Sequence, residues 1–244
     1  MRFSDKVVLV TGAAGGIGLA AAQHFFSEGA SVVLVDRDAH ALPAAAALRE
    51  RGPGEVLEVV CDVGVEADVV HAVERAMTRF GQLDVVVNNA GLMIFKPIEE
   101  LTEADWTRVL QVDLLGAFFF IKQAFLHMRP GGAVVNVSSV HALETETRVA
   151  PYAAAKAALL SLTRSAALEG AGKAIRVNAV VPGAIDTPML WNNPQVQSGA
   201  EHIDPGEVGK PGELAAAIAF LASDEAAFVQ GASLIVDGGR LCRL

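Results

Sequence analysis

The sequence predicts an α/β architecture, a doubly wound parallel sheet with helices on both faces. Three observations lead there. Short apolar runs rich in β-branched residues recur along the chain, longer segments with helical spacing separate them, and the runs are apolar throughout rather than alternating. Strands of that kind are buried on both faces, as in a parallel sheet covered by helices on each side. Right-handed crossovers then wind the sheet doubly.

Taken in order, the candidate strands are KVVLVTG (6–12), SVVLVD (31–36), VLEVVCD (56–62), LDVVVNNAG (83–91), AVVNVSS (133–139), IRVNAVVPG (175–183) and ASLIVDGG (232–239). GLAAAQHFFSEG (18–29), DVVHAVERAMTRFG (68–81) and ELAAAIAFLAS (213–223) carry the helical period between them. Segments 103–128 and 151–170 read as long helices with more apolar positions than one sheet face readily buries, which predicts a homo-oligomer. The stretch 182–212 has no clear period and is rich in Pro, Gly and Asn. Loops of that length are uncommon unless functional, so residues from about 188 to 212 are expected to form a substrate loop.

Composition limits the function classes. With 244 residues and 52% hydrophobic content, the chain can bury one sizeable core, and a single domain over 1–244 is expected. A net charge of −9 opposes nucleic-acid binding, since no basic stripe is available to neutralise phosphates. The only cysteines, Cys61 and Cys242, form no CxxC pair. That suits a reducing, cytoplasmic setting and gives no metal site. The N-terminus lacks a secretory pattern, and no apolar run reaches the roughly 18 residues of a membrane span, so no membrane association is expected.

The first candidate site is VTGAAGGIGLAAA. Gly12, Gly16 and Gly18 sit where a strand turns into a helix, allowing a tight turn, close approach of a pyrophosphate, and amide N–H groups at the helix's positive end. The spacing is GxxxGxG rather than GxGxxG, and such clusters also serve turns and helix packing. Asp36 ends the next strand, where a carboxylate can accept from both adenosine ribose hydroxyls and repel a 2′-phosphate. Its alternative is a helix N-cap, which DRDAH permits. The second candidate is Tyr152, the only tyrosine, with Lys156 four residues on and on the same helical face. A free tyrosine, with a pKa of about 10, is a poor base at neutral pH, and a cation alongside pulls that value down. The alternative is an interfacial tyrosine beside a solvated lysine.

TGAAGGIG, NNAG (88–91), SS (138–139), YAAAK (152–156) and PGAIDT (182–187), in this order and spacing, resemble the short-chain dehydrogenase/reductase family in its single-domain branch of about 250 residues. The resemblance runs from Lys6 to Gly239. It implies a seven-stranded Rossmann sheet, often assembled as a homotetramer, and Asp36 at the ribose position makes NAD the expected cofactor. In that family the glycine loop, with Ile17, holds the cofactor; Asp36 stands at the adenosine ribose, and the neighbouring Arg37 complicates the cofactor choice because its guanidinium could swing over to a 2′-phosphate. Asp62 and Val63 resemble the pair that contacts adenine, Asn89, Ala90 and Gly91 end the fourth strand, and Pro182, Gly183, Ile185 and Thr187 hold the carboxamide. Asp62 also reads as an ordinary strand-end aspartate, and Asn89 as a turn former. By resemblance, Ser139 hydrogen-bonds the reacting oxygen, Tyr152 is the acid–base, and Lys156 also contacts the nicotinamide ribose. Ser138 reads as structural.

One departure stands in VDLLGAFFF, where Asp113 occupies the position of the family's catalytic asparagine. In relatives that residue stabilises a helix irregularity whose carbonyl serves a proton relay. An ionised aspartate accepts but cannot donate. The expectation is a relay that survives through the backbone carbonyl or runs with altered pH dependence, with Asp113 kept among the catalytic candidates and a structural acceptor role as the alternative. The substrate lining is expected from Met93, Ile94, Val140, His141, Ala142, residues 144–148 and the loop with Met189, Leu190 and Trp191. His141 reads as a substrate contact or simply exposed. The leading function is an oxidoreductase moving hydride between NAD(H) and a secondary alcohol or ketone (a sugar, polyol or small hydroxyacyl compound). A lyase or epimerase relative and a nucleotide-binding module without turnover are the alternatives. The chain is short for the first, and an intact Ser, Tyr and Lys set opposes the second.

Overall fold

The computed structural model describes residues 1–42, 48 and 54–242. All seven expected strands form, as β1 (Val7–Thr11), β2 (Ser31–Asp36), β3 (Val56–Val60), β4 (Val85–Asn88), β5 (Ala133–Val137), β6 (Arg176–Pro182) and β7 (Ser233–Val236). They pair in parallel in the order β3-β2-β1-β4-β5-β6-β7. The order reverses between β1 and β4, and the crevice at such a switch point is where open α/β sheets take ligands.

Alternation along each strand divides the core in two. Val8, Val10, Val32, Leu34, Val85, Val87 and Val135 face α1 (Gly16–Ser27) on one side of the sheet. Val7, Leu9, Val33, Val35, Val86 and Val134 face the other side, covered by α2 (Glu66–Phe80) and two later helices. Because both faces are covered, β1, β4 and β5 are buried at every residue, which is why the sequence shows apolar runs rather than alternation.

The segment read as one helix over 103–128 is broken. α3 (Glu103–Leu110) starts at a Thr102/Asp105 capping box, and the backbone widens into a π turn at Gln111–Leu115 before α4 (Gly116–His127). An apolar pattern runs unbroken across the widened turn, so periodicity could not reveal it. Glu103–His127 as a whole is long and apolar enough to cross a membrane, contrary to the expectation that no segment would be. Half of that apolar window is buried inside the fold, as in a core helix. α5 (Ala150–Ala171) follows β5 and carries Tyr152 and Lys156.

The irregular stretch after β6 contains two four-residue helices, α6 (Pro188–Trp191) and α7 (Pro194–Gln197). Thr187 and Asn193 are their N-caps and each has proline at the first helical position, a start signal present in the sequence as TP and NP. α8 (Pro211–Ala222) then returns to pack beside α1. Cys61 is buried and Cys242 exposed, both as free thiols.

Candidate active site

The C-terminal ends of the strands open into a cleft of about 370 Å³. One end is built by the glycine loop. Gly12 and Gly16 have φ of 64° and 53°, the left-handed region that glycine enters without strain. A Cβ on Gly18 would collide with the Gly12 carbonyl and come within 2.6 Å of the Asn89 amide, so Gly18 packs beneath the loop rather than lining the cleft. α1 begins at Gly15 with no side-chain cap, leaving its first N–H groups available to an anion. The loop therefore fits a pyrophosphate, and with it a dinucleotide.

A residue that the sequence reading passed over ties this loop to β4. Thr11 Oγ accepts from the N–H groups of Asn89 at 2.9 Å and Ala90 at 3.0 Å while donating to the Val87 carbonyl at 3.3 Å. Asn89 returns its amide to the Thr11 carbonyl at 2.9 Å. Asn89 thus braces the loop and also lines the cleft.

Asp36 reaches the cleft from the end of β2. Its carboxylate accepts from Ala14 N and from Asp38 N, each at 3.0 Å, so it braces the loop and caps the following turn. A carboxylate has about four acceptor positions, which leaves capacity for ribose hydroxyls. Arg37, Asp62 and Val63 line a side recess with Gly12, Ala90, Gly91 and Leu92. Arg108 pairs with Asp62 at 3.1 Å across that recess. Pro182, Gly183, Ile185 and Thr187 line the main cleft together with Ile17.

Ser139, Tyr152 and Lys156 converge on the cleft, all buried. Ser139 leaves the end of β5 and lines the cleft with Tyr152, and its oxygen accepts from His141 N at 3.2 Å. Ser138 donates instead to the Lys156 carbonyl at 2.9 Å, a structural use that ties β5 to α5. Lys156 Nζ donates to the Val137 carbonyl at 3.0 Å and lies 5.5 Å from the Tyr152 ring centre.

The electrostatics differ from the simple sequence expectation in one respect. Burial raises the Tyr152 hydroxyl above its ordinary range; Lys156 and Ser139 pull it down, and Asp113 pushes it up. The net direction in this state is upward, so the lysine moderates the burial penalty rather than producing a depressed tyrosine.

Asp113 is the source of the opposing charge. It sits in the π turn, 1% exposed, with Oδ1 accepting from Leu92 N at 3.0 Å and Oδ2 3.3 Å from Lys156 Nζ. The Oδ2 contact is close enough for ion pairing but not aligned as a hydrogen bond. Burial pushes the Asp113 carboxyl up, against the pull of Lys156 and the Leu92 N–H. Gly91 admits this arrangement, since a Cβ there would stand 2.8 Å from Oδ2 and 3.3 Å from Lys156 Nζ. The carboxylate is therefore a direct neighbour of the lysine, which gives the expected altered pH dependence a geometric basis.

The substrate end is walled by Met93, Val140, His141, Met189 and Leu190, with Glu146, Asn193, Glu201 and Arg240. Arg240 and the pairing of the two glutamates were not legible from sequence spacing. Trp191 does not join this wall, contrary to expectation. Its indole N–H donates to Asp186 at 2.7 Å, which holds the ring outside the cleft and 39% exposed.

Comparison with known proteins agrees with this geometry. A family model described as enoyl-(acyl carrier protein) reductase matches residues 12–240. The chain is 46% identical over 242 residues to cis-4-hydroxycyclohexanecarboxylate dehydrogenase of Sinomonas cyclohexanicum, covering 97% of each protein. The crystal structure of levodione reductase superposes with a TM-score of 0.93 at 36% identity, covering both chains completely. A short-chain dehydrogenase from Burkholderia cenocepacia J2315, solved in complex with NADP, gives 0.91 at 30% identity over 98% of each chain. The glycine loop, the serine, tyrosine and lysine on one cleft, and these likenesses along the whole chain have one meaning: the protein belongs to the short-chain dehydrogenase/reductase family.

Proposed function

We propose that this protein is an NAD(H)-dependent oxidoreductase that interconverts a secondary alcohol and a ketone. The observation that carries the proposal is the convergence of Ser139, Tyr152 and Lys156 on the same cleft as the glycine loop. A relative named for a hydroxycyclohexanecarboxylate and a structural neighbour named for levodione support the alcohol–ketone reading.

Bound in the cleft, a nicotinamide cofactor supplies the hydride acceptor in oxidation and the donor in reduction. Ser139 orients the reacting oxygen by hydrogen bonding. Tyr152 takes the hydroxyl proton as the carbinol C–H bond breaks, and returns it to the oxygen in the reverse direction. The Lys156 ammonium stabilises the phenolate that forms and offers its remaining N–H groups to the cofactor ribose. The segment from 188 to 212 closes the substrate end. Reduction of NAD by a panel of secondary alcohols tests this function. Tight cofactor binding with no alcohol-dependent reduction would leave a binding module.

NAD is the cofactor proposed, because the Asp36 carboxylate faces the cleft and repels a 2′-phosphate. Arg37 is the residue that could reverse this, since a guanidinium can pair with phosphate, and one similar structure holds NADP. NAD(H) is expected to give the higher kcat/KM, and equal or better efficiency with NADP(H) contradicts the assignment.

We also propose a homotetramer in a reducing, cytoplasmic compartment. Leu115, Phe118, Leu126 and Leu168 are exposed on α4, α5 and the π turn, as are Phe228 and Ile235 around β7. Two such apolar surfaces suit two interfaces. Sedimentation is expected to give a tetramer at micromolar protein, and a stable monomer contradicts it.

A further inference from the structure

At the substrate end, four ionisable side chains arrive from stretches far apart in the chain. Glu146 and His141 lie between β5 and α5, Glu201 follows α7, and Arg240 follows β7. Arg240 Nη2 stands 3.4 Å from Glu201 Oε1, and the other Glu201 oxygen accepts from Asn193 Nδ2 at 3.0 Å. Asp237 fixes the turn that presents Arg240 by accepting from Gly239 N and Leu241 N, each at 2.8 Å. The His141 ring meets Tyr152 edge-on at 5.8 Å between centres, so this cluster borders the reaction centre. Glu146 faces Glu201, yet its Oε1 is buried without a hydrogen-bond partner in the protein.

We propose that Glu146, Glu201 and Arg240 form a second polar subsite that receives a substrate hydroxyl other than the one oxidised, making a neutral diol or polyol the preferred substrate. The proposal rests on the oxidoreductase reading and narrows its substrate class.

Three arguments carry it. The first is charge: one guanidinium already faces two carboxyls, so a substrate carboxylate would bring a third to the same cation. A neutral hydroxyl adds no charge. The second is hydrogen-bond capacity. A hydroxyl both donates and accepts, so it can donate to the unpartnered Glu146 oxygen and accept from Arg240. The third is discrimination, since a buried acceptor left unpaired is unfavourable and a site built to bond a hydroxyl rejects analogues that lack it. Burial and the facing Glu201 carboxyl also raise Glu146 to about 7, against the pull of Arg240.

A purely structural reading would make the Arg240–Glu201 pair a latch for the 188–212 segment. It predicts no distinction among substrates. The test compares cyclohexanol, 1,2- and 1,4-cyclohexanediol, and 4-hydroxycyclohexanecarboxylate, alcohols that differ only in the second polar group. At least one diol is expected to exceed both cyclohexanol and the carboxylate in kcat/KM by roughly ten-fold. Glu146→Ala should collapse the diol-to-cyclohexanol ratio through a higher KM for the diol, and Glu146→Gln, which keeps an acceptor oxygen, should restore part of it. Thermal unfolding of both variants identifies loss of fold, and the wild-type ranking stands independently of them. A preference for the carboxylate, a wild-type enzyme indifferent to the second hydroxyl, or a ratio unmoved by Glu146→Ala overturns the proposal while cyclohexanol turnover preserves the oxidoreductase reading. Absence of turnover with every alcohol overturns both.

Discussion

Tyr152→Phe is expected to lower turnover by about two or more orders of magnitude, the scale of lost acid–base catalysis, while cofactor binding persists. The substitution removes one oxygen from a side chain that is 6% exposed and packed among Val109, Ala155, Leu92 and Met93. The ring therefore keeps its packing, and only the transferable proton and the Ser139 contact are lost. The glycine loop is built by β1, α1 and β4, none of which depends on the phenol. Steady-state rates with fluorescence titration of the cofactor separate the two effects. Near-normal turnover in a folded variant would remove Tyr152 from the proton-transfer step.

Asp113→Asn is expected to move the rising limb of the oxidation profile to lower pH. The sign follows from the geometry. The carboxylate lies 3.3 Å from Lys156 and raises the Tyr152 hydroxyl, so removing its charge leaves the lysine's field less compensated and the phenolate easier to form. Asparagine keeps the acceptor oxygen for the Leu92 N–H, which preserves the local backbone. Turnover at the optimum should stay within a few-fold. A profile that does not move, with only a lower unfolding temperature, would return Asp113 to a structural role.

Much of the fold could be read from sequence because burial on both faces imposes a simple pattern. All seven strands are apolar runs in the sequence and strands in the sheet. The glycine loop and the Tyr152–Lys156 pair were equally visible, since a strand-to-helix turn and a four-residue helical spacing are local. Periodicity did not show the π turn, because the apolar pattern of α3 and α4 continues across it while the hydrogen-bond register changes; only the family resemblance, through an irregularity at Asp113, pointed there. That register places Asp113 against Lys156, where its charge bears on the lysine. The polar end of the cleft was hidden for a different reason. Glu146, Glu201 and Arg240 lie on connections without periodicity, and only the folded sheet brings their backbones together. Trp191 was misread in the same region because a nearby carboxylate, Asp186, captures its indole N–H.

The most direct test of the central claim is the fate of the carbinol hydrogen. The purified protein would be incubated with NAD and a secondary alcohol deuterated at the carbinol carbon, and the recovered cofactor analysed by mass spectrometry. Ser139, Tyr152 and Lys156 acting on one cleft with the glycine loop predict deuterium in the reduced nicotinamide and a matching ketone. Tyr152→Phe should accumulate both far more slowly. Reduced cofactor without the label, or ketone formed without reduced cofactor, would contradict direct hydride transfer in this cleft.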